Sequence, residues 1–127
     1  MKKGGILNAD LNLELSKLGH TDMVLLADCG MPAPAGVPVV DLAFVHGVPR
    51  FEQVLDALLE EYVFERCVAA TESLGTPAQQ WMAGKFPNSS LVSHEKLKAL
   101  SANAKLFIRT GEATAYANAA LFCGVPF

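Results

Sequence analysis

Residues 19–30, GHTDMVLLADCG, frame a short apolar run with one imidazole and two carboxylates. His20 and Asp22 precede Met23–Ala27, and Asp28 follows it. An imidazole titrates close to neutral pH, so His20 can give or take a proton at working pH. Asp28 can accept hydrogen bonds from a hydroxylated ligand, and Asp22 can orient His20 or cap the turn beside it. By spacing alone, capping and solvation explain all three better. His94 and Lys98, four residues apart, share one helix face and can both donate to ligand oxygens. A surface pair with no ligand has the same spacing. TGEATAYAN, residues 110–118, forms a polar link between two apolar segments. A tyrosine hydroxyl and an asparagine amide suit sugar hydroxyls. A plain turn would use the same residue types.

Other chemistries lack their signatures. Cys29 adjoins Asp28, but no cysteine-histidine nucleophile motif surrounds it. His20, His46 and His94 are scattered and have no H-E-x-x-H spacing, so no metal site is expected. There is no G-x-G-x-x-G and no P-loop, so there is no nucleotide-binding fingerprint. His46, in HGVP, reads as structural, and Trp81 as core or interface. The three cysteines, Cys29, Cys67 and Cys123, form no C-x-x-C pair, which points to reduced thiols and a cytoplasmic protein.

Composition narrows the partners. Ten basic and 13 acidic residues are well mixed, giving a formal net charge of -3 and no basic stripe for nucleic acid. No apolar run approaches the roughly 18 residues of a membrane span. The first residues, MKKGGILNADLN, have two lysines without the apolar stretch of a signal peptide. The hydrophobic fraction is 51% and the mean hydropathy +0.28, high for 127 residues. A chain this small buries apolar surface inefficiently by itself, so a homo-oligomer is expected.

These groups need elements to position them. Residues 8–19 predict a helix through Leu11, Leu15 and Leu18, with Asp10 capping its start and Gly19 in the left-handed position after its end. His20 would then lie just past a helix C-terminus, where a protonated imidazole is favoured. Residues 23–28 predict a fully buried strand with Asp28 at its carboxyl end, where open α/β sheets place their sites. Further strands are predicted over 39–44, 63–70, 105–110 and 118–125, with a short one at SSLV. RFEQVLDALLEEY carries Phe51, Val54, Leu55, Leu58, Leu59 and Tyr62 on one helical face. A third helix runs from Thr76-Pro77 to about Phe86, and Ser93 caps a fourth that begins at His94. Strands alternating with helices give one α/β domain over residues 1–127, a three-layer α/β/α arrangement with a mixed, mostly parallel sheet of about six strands.

The run from MKKGGILNADLNLELSKLGHTD through DCGMPAP and HGVPRFEQVL to IRTGEATAYANAALFCGV resembles the D-ribose pyranase family. These are sugar mutarotases that include an L-fucose mutarotase branch. The resemblance covers nearly the whole chain, residues 71–92 aside. DCGMP and HGVPRFEQVL look like the ribose branch, whereas fucose mutarotases carry a DAHFP-like loop after the first strand. The resemblance implies interconversion of the six- and five-membered rings of D-ribose, and of its anomers, without cofactor or metal. It implies His20 as general acid, with Asp28, His94, Lys98, Tyr116, Ala117 and Asn118 as sugar ligands. It also implies an oligomer, a decamer of two stacked pentameric rings with sites near subunit boundaries.

The residues suit that chemistry. Opening a hemiacetal ring takes a proton from the anomeric hydroxyl and gives one to the ring oxygen; reclosing on another hydroxyl reverses both transfers. Positioned acid-base groups suffice, worth typically ~10²–10⁴ in rate. His20 would protonate the ring oxygen. Asp28, a neutral His94 or a water would take the anomeric proton. Two other functions fit the same residues: a non-catalytic ribose-binding partner of a sugar uptake system, and an L-fucose mutarotase.

Overall fold

Met23–Ala27, five consecutive apolar residues, form the central strand β1, and all five are buried. A strand covered on both faces needs apolar side chains at every position, not alternate ones. The computed structural model describes residues 1–127. Its elements are α1 (Ala9–Leu15), β1, β2 (Val39–Asp41), α2 (Phe51–Glu61), β3 (Phe64–Ala70), a 3₁₀ turn (Thr71–Ser73), α3 (Pro77–Lys85), β4 (Ser90–Val92), α4 (His94–Ser101), β5 (Leu106–Arg109) and β6 (Ala119–Cys123). No helix is long and apolar enough to cross a membrane.

The six strands form one sheet in the order β2-β5-β1-β6-β3-β4. β2, β5 and β1 run parallel, as do β3 and β4. β6 is antiparallel to both neighbours, β1 and β3. Each sheet face has its own core. Val24 and Leu26 join Leu11, Leu15, Phe51, Leu55, Leu58 and Met82 on the side of α1, α2 and α3. Leu25 and Ala27 join Met31, Leu97, Phe107 and Ala120 on the side of α4. This is the expected three-layer, mixed α/β architecture, and Trp81 stacks on Phe51 at 6.2 Å between ring centroids.

Several local expectations are corrected. The first helix stops at Leu15, and its N-cap is Asn8, whose side chain accepts from the Leu11 N–H; Asp10 lies inside the first turn. Gly19 is not in the left-handed region; Thr21 is, at φ 70°. His20 therefore lies beyond the last turn of α1 and gains nothing from its dipole, which acts only over the terminal turn. β2 ends at Asp41, not residue 44, because the chain turns there: the Asp41 carboxylate accepts from the Ala43 N–H. β6 is likewise shorter than residues 118–125, since Asn118 serves as a side-chain partner before the strand begins.

Gly111 packs directly against another strand-end loop. A Cβ there would lie 2.1 Å from the Val48 carbonyl oxygen and 2.7 Å from that of Val45. Both obstacles are backbone, so neither can rotate away. Gly111→Ala is expected to destabilise the fold by about 3 kcal/mol, read as a lowered urea midpoint. An unchanged midpoint would contradict this packing.

Candidate functional site

The antiparallel pairing of β1 with β6 sets Leu26 opposite Ala119. Asp28, after β1, and Asn118, before β6, therefore meet at the carboxyl end of β1, in the middle of the sheet. They are joined twice: the Asp28 N–H donates to Asn118 Oδ1 at 2.9 Å, and Asn118 Nδ2 donates to Asp28 Oδ2 at 2.9 Å. Asp28 Oδ1 also accepts from the Gly30 N–H at 3.0 Å. Asn118 is buried and Asp28 half-buried, so the carboxylate is fixed yet reachable. The two bonds that end on the carboxylate are charge-assisted, a kind roughly twice as strong as neutral ones.

The same end of the sheet delivers the helix residues. β3 and β4 pair as Ala70 with Val92, so the chain leaves β4 beside the end of β3. Ser93 then caps α4, accepting from the Lys96 N–H, and His94 opens the helix. The His94 N–H donates to Glu72 Oε2 at 2.9 Å, which ties α4 to the turn after β3. The His94 ring meets Tyr116 edge-on, 5.2 Å between centroids, and its buried Nδ1 has no partner. Tyr116 adopts φ 62°, a left-handed conformation rare outside glycine. Such backbone costs of order 1–3 kcal/mol and tends to cluster at binding sites.

Asp28, His94, Lys98, Tyr116 and Asn118 line one cavity of about 290 Å³, together with Gly30, Met31, Pro32 and Ala115. Ala117 lies between two lining residues, but its side chain is fully buried in the core, so the cavity is bounded by its neighbours. Lys98 Nζ is paired with Glu95 Oε1 at 2.9 Å, and the ammonium holds the Glu95 carboxyl below its ordinary range. A second hollow shares Asp28 and adds Cys29, His46 and Glu112. No group of three or more histidine, cysteine or acidic side chains is arranged to hold a metal ion.

Glu112 organises the 110–118 loop. Its carboxylate accepts from the N–H groups of Phe51, Ala113 and Thr114, at the start of α2 and along the loop itself. Burial alone would raise its pKa, but the donors at Thr114 and Phe51 and the Arg50 charge outweigh that and hold it below the ordinary value. Glutamate in a polar loop was visible in the sequence; its role as loop organiser was not, because the donors come from residue 51 as well as from its neighbours.

His20 lies elsewhere. It is exposed in the turn before β1, at the opposite end of that strand from Asp28. Five strand residues alone span roughly 17 Å, much more than the width of a monosaccharide. It lines a different cavity, of about 320 Å³, with Glu61, Tyr62, Val63 and Cys123. Its Nε2 lies 3.3 Å from Glu65 Oε2, a neighbour that sequence reading missed. Asp22 does not orient the imidazole; its carboxylate accepts from the Gly19 N–H at 2.9 Å and closes the turn. The chain thus gathers five of the expected ligands and leaves the expected acid apart.

The chain is similar throughout to proteins of known kind. The model of the RbsD / FucU transport protein family matches residues 1–126. A protein of Streptomyces coelicolor named D-ribose pyranase is 54% identical, with 100% of both chains covered. One of Rubrobacter xylanophilus, named D-ribose pyranase 1, is 50% identical over the same coverage. The structure of Bacillus subtilis RbsD complexed with D-ribose superposes with a TM-score of 0.93 at 41% identity, again over 100% of both chains. A fucose mutarotase of Streptococcus pneumoniae, in complex with L-fucose, gives a TM-score of 0.81 over 95% of each chain. At 20% identity it shares the fold alone.

The Asp28–Asn118 pair has a measurable weight. Asn118→Ala leaves the Asp28 N–H without its acceptor and the carboxylate without its side-chain donor. It should cost about 1–3 kcal/mol in urea unfolding and weaken monosaccharide binding in calorimetry. Wild-type values in both would show that the pair neither supports this end of the sheet nor sets the carboxylate.

Proposed function

The chain belongs to the RbsD / FucU transport protein family, and on that footing we propose that it is a sugar mutarotase with D-ribose pyranase activity. It is an intramolecular isomerase that interconverts ribopyranose and ribofuranose, and their anomers, by opening and reclosing the ring. The observation that carries this is full-length identity of 50–54% to proteins named D-ribose pyranase, with the candidate ligands gathered at one end of the sheet. Residues 1–127 act as one sugar mutarotase domain.

On this reading His20 is the general acid and protonates the ring oxygen as C1 opens to the aldehyde. Asp28, His94, Lys98, Tyr116 and Asn118 hold the hydroxyls, and Ala117 holds the backbone between the last two. Asp28, neutral His94 or a water takes the anomeric proton. Ring closure on the other hydroxyl returns the proton to His20. The reaction uses no cofactor and no metal. A small cavity with a few fixed donors and acceptors holds part of the sugar and leaves the open chain free to turn.

The distance between His20 and Asp28 supports a homo-oligomer in which the His20 of one subunit faces the sugar cavity of another. Exposed apolar residues support the same reading. The exposed Leu7 and Val48 border one cavity, and the exposed Val63 and Val125 border the cavity beside His20. We propose a decamer of two pentameric rings, working in the cytoplasm, where its thiols remain reduced. One rival is a non-catalytic ribose-binding partner of a sugar uptake system, in keeping with the family's association with transport.

Saturation-transfer NMR on D-ribose tests the proposal. The wild-type protein should speed exchange between ring forms, whereas the rival predicts saturable binding with no acceleration. Ribose should exceed L-fucose as substrate. His20→Ala should lower exchange about 100-fold with fold and assembly intact; full exchange in that variant would exclude His20 as the acid.

The shared site has its own test. Co-assembled His20→Ala and Asp28→Ala subunits should regain exchange that neither variant supports alone, since some neighbouring pairs combine an intact acid with an intact cavity. Mixed oligomers as inactive as the separate variants would place the whole site within one subunit.

A further inference from the structure

We propose that Glu65 is the positioning residue for His20: it holds the Nε2–H of the imidazole and leaves Nδ1 as the atom that meets the sugar. This rests on the reading of His20 as the acid. The first observation is the contact itself, Nε2 to Oε2 at 3.3 Å, between side chains 51% and 49% exposed.

The second is how the backbone makes that contact. β3 pairs with β6 as Phe64 with Cys123, then Arg66 with Phe122, so Glu65 is an extra residue with no partner across the ladder. A bulge of this kind bends its strand and re-aims a side chain. Strict alternation would put residue 66 on the same face as the buried Phe64. Instead Cys67 takes that place, and Arg66 stays outside with its guanidinium 3.6 Å from the Phe122 ring centroid. Glu65 is thereby left beside the 19–22 turn. That turn is fastened to the same end of β6. The Thr21 N–H donates to the Cys123 carbonyl at 2.9 Å, and the Cys123 N–H to the Asp22 carbonyl at 2.8 Å. Thr21 is β-branched and left-handed at φ 70°, so the turn is a constrained one.

The third is that no other nearby group competes. Asp22 is committed to the Gly19 N–H, and the Glu61 carboxylate to the Ile6 N–H. Burial raises the Cys123 thiol, with the Asp22 charge adding to it, and burial with the Glu61 charge raises Tyr62, so both remain neutral at neutral pH. With Nε2 donating to Glu65, the proton on Nδ1 goes to the ring oxygen during opening, and the neutral ring left behind is the Nε2–H tautomer. On reclosure the attacking hydroxyl gives its proton back to Nδ1.

The test reads tautomer and rate in the intact protein. In 15N-histidine NMR, neutral His20 should be mostly the Nε2–H tautomer in wild type and a mixture in Glu65→Ala. Glu65→Ala should lower kcat for ribose ring exchange about fivefold with KM unchanged, in keeping with a half-exposed contact. Glu65→Gln keeps an acceptor and should restore most of the rate, whereas Glu65→Met, of similar bulk but without that acceptor, should not, and a purely packing role predicts rescue by both. An Nδ1–H tautomer in wild type would overturn the proposal, and so would a wild-type kcat in Glu65→Ala. His20→Ala, measured alongside, separates the two readings. Full exchange there sinks the acid assignment and this inference with it. Loss there, beside an unaffected Glu65→Ala, sinks only the role of Glu65.

Discussion

The antiparallel insertion of β6 between β1 and β3 governs both ends of this molecule. At one end it sets Leu26 against Ala119 and so brings Asp28 to Asn118. At the other it sets Met23 against Phe122 and Phe64 against Cys123, which brings the His20 turn to the Glu65 bulge. A parallel β6 would have reversed its own ends and matched neither pair. The strand can hold this register because Ala119, Ala120 and Leu121 are buried between two cores, and a slip of one residue would exchange the two faces. Two small alanines at its start let the loops at that end approach closely.

What this register positions are polar groups in fixed orientations. Asp28 uses both carboxylate oxygens within the protein, one on Gly30 and one on Asn118, and presents its remaining lone pairs outward. Glu112 is committed to three N–H groups and cannot turn toward a ligand. The buried Nδ1 of His94 is different, because no protein group satisfies it. Buried polar atoms are almost always paired, so on the proposed reading this one is free to contact the sugar. The only two non-glycine residues with positive φ, Thr21 and Tyr116, stand one at each end. The neighbouring packing holds both conformations in place against their intrinsic cost.

Much of this was legible in the sequence, for particular reasons. The β1 core strand, the amphipathic face of α2, the Pro at the start of α3 and the Ser93 cap are local patterns, and each appears where its pattern put it. The four-residue spacing of His94 and Lys98 did bring both to one cavity. What failed was local chemistry with a close competitor. Asn8 and Asp10 are both good caps, and only the path of the preceding chain selects Asn8. Gly19 looked like the residue for a left-handed turn, yet Thr21 takes it because its N–H is needed at Cys123. Glu65 was invisible because a bulge is a property of two strands, and VFERCVAA alone reads as an ordinary strand.

The separation of the two ends also bears on why the chain is so apolar. A rigid five-residue strand cannot bend to bring its ends together, so on the proposed reading a site that uses both draws them from different copies. Copies that share a site must hold each other to within a fraction of an ångström, since misplacement of about 1 Å can cost roughly 10²-fold in rate. Polar surface contacts are worth little for that, typically below about 1 kcal/mol each, whereas packed apolar area is both stronger and more rigid. The exposed Val63 and Val125, which line the His20 cavity, are the residue types such an interface requires. On the proposed reading, the excess of hydrophobic residues and the separation of His20 from the Asp28 cavity follow from one constraint: chemistry placed at both ends of a strand too stiff to close on itself.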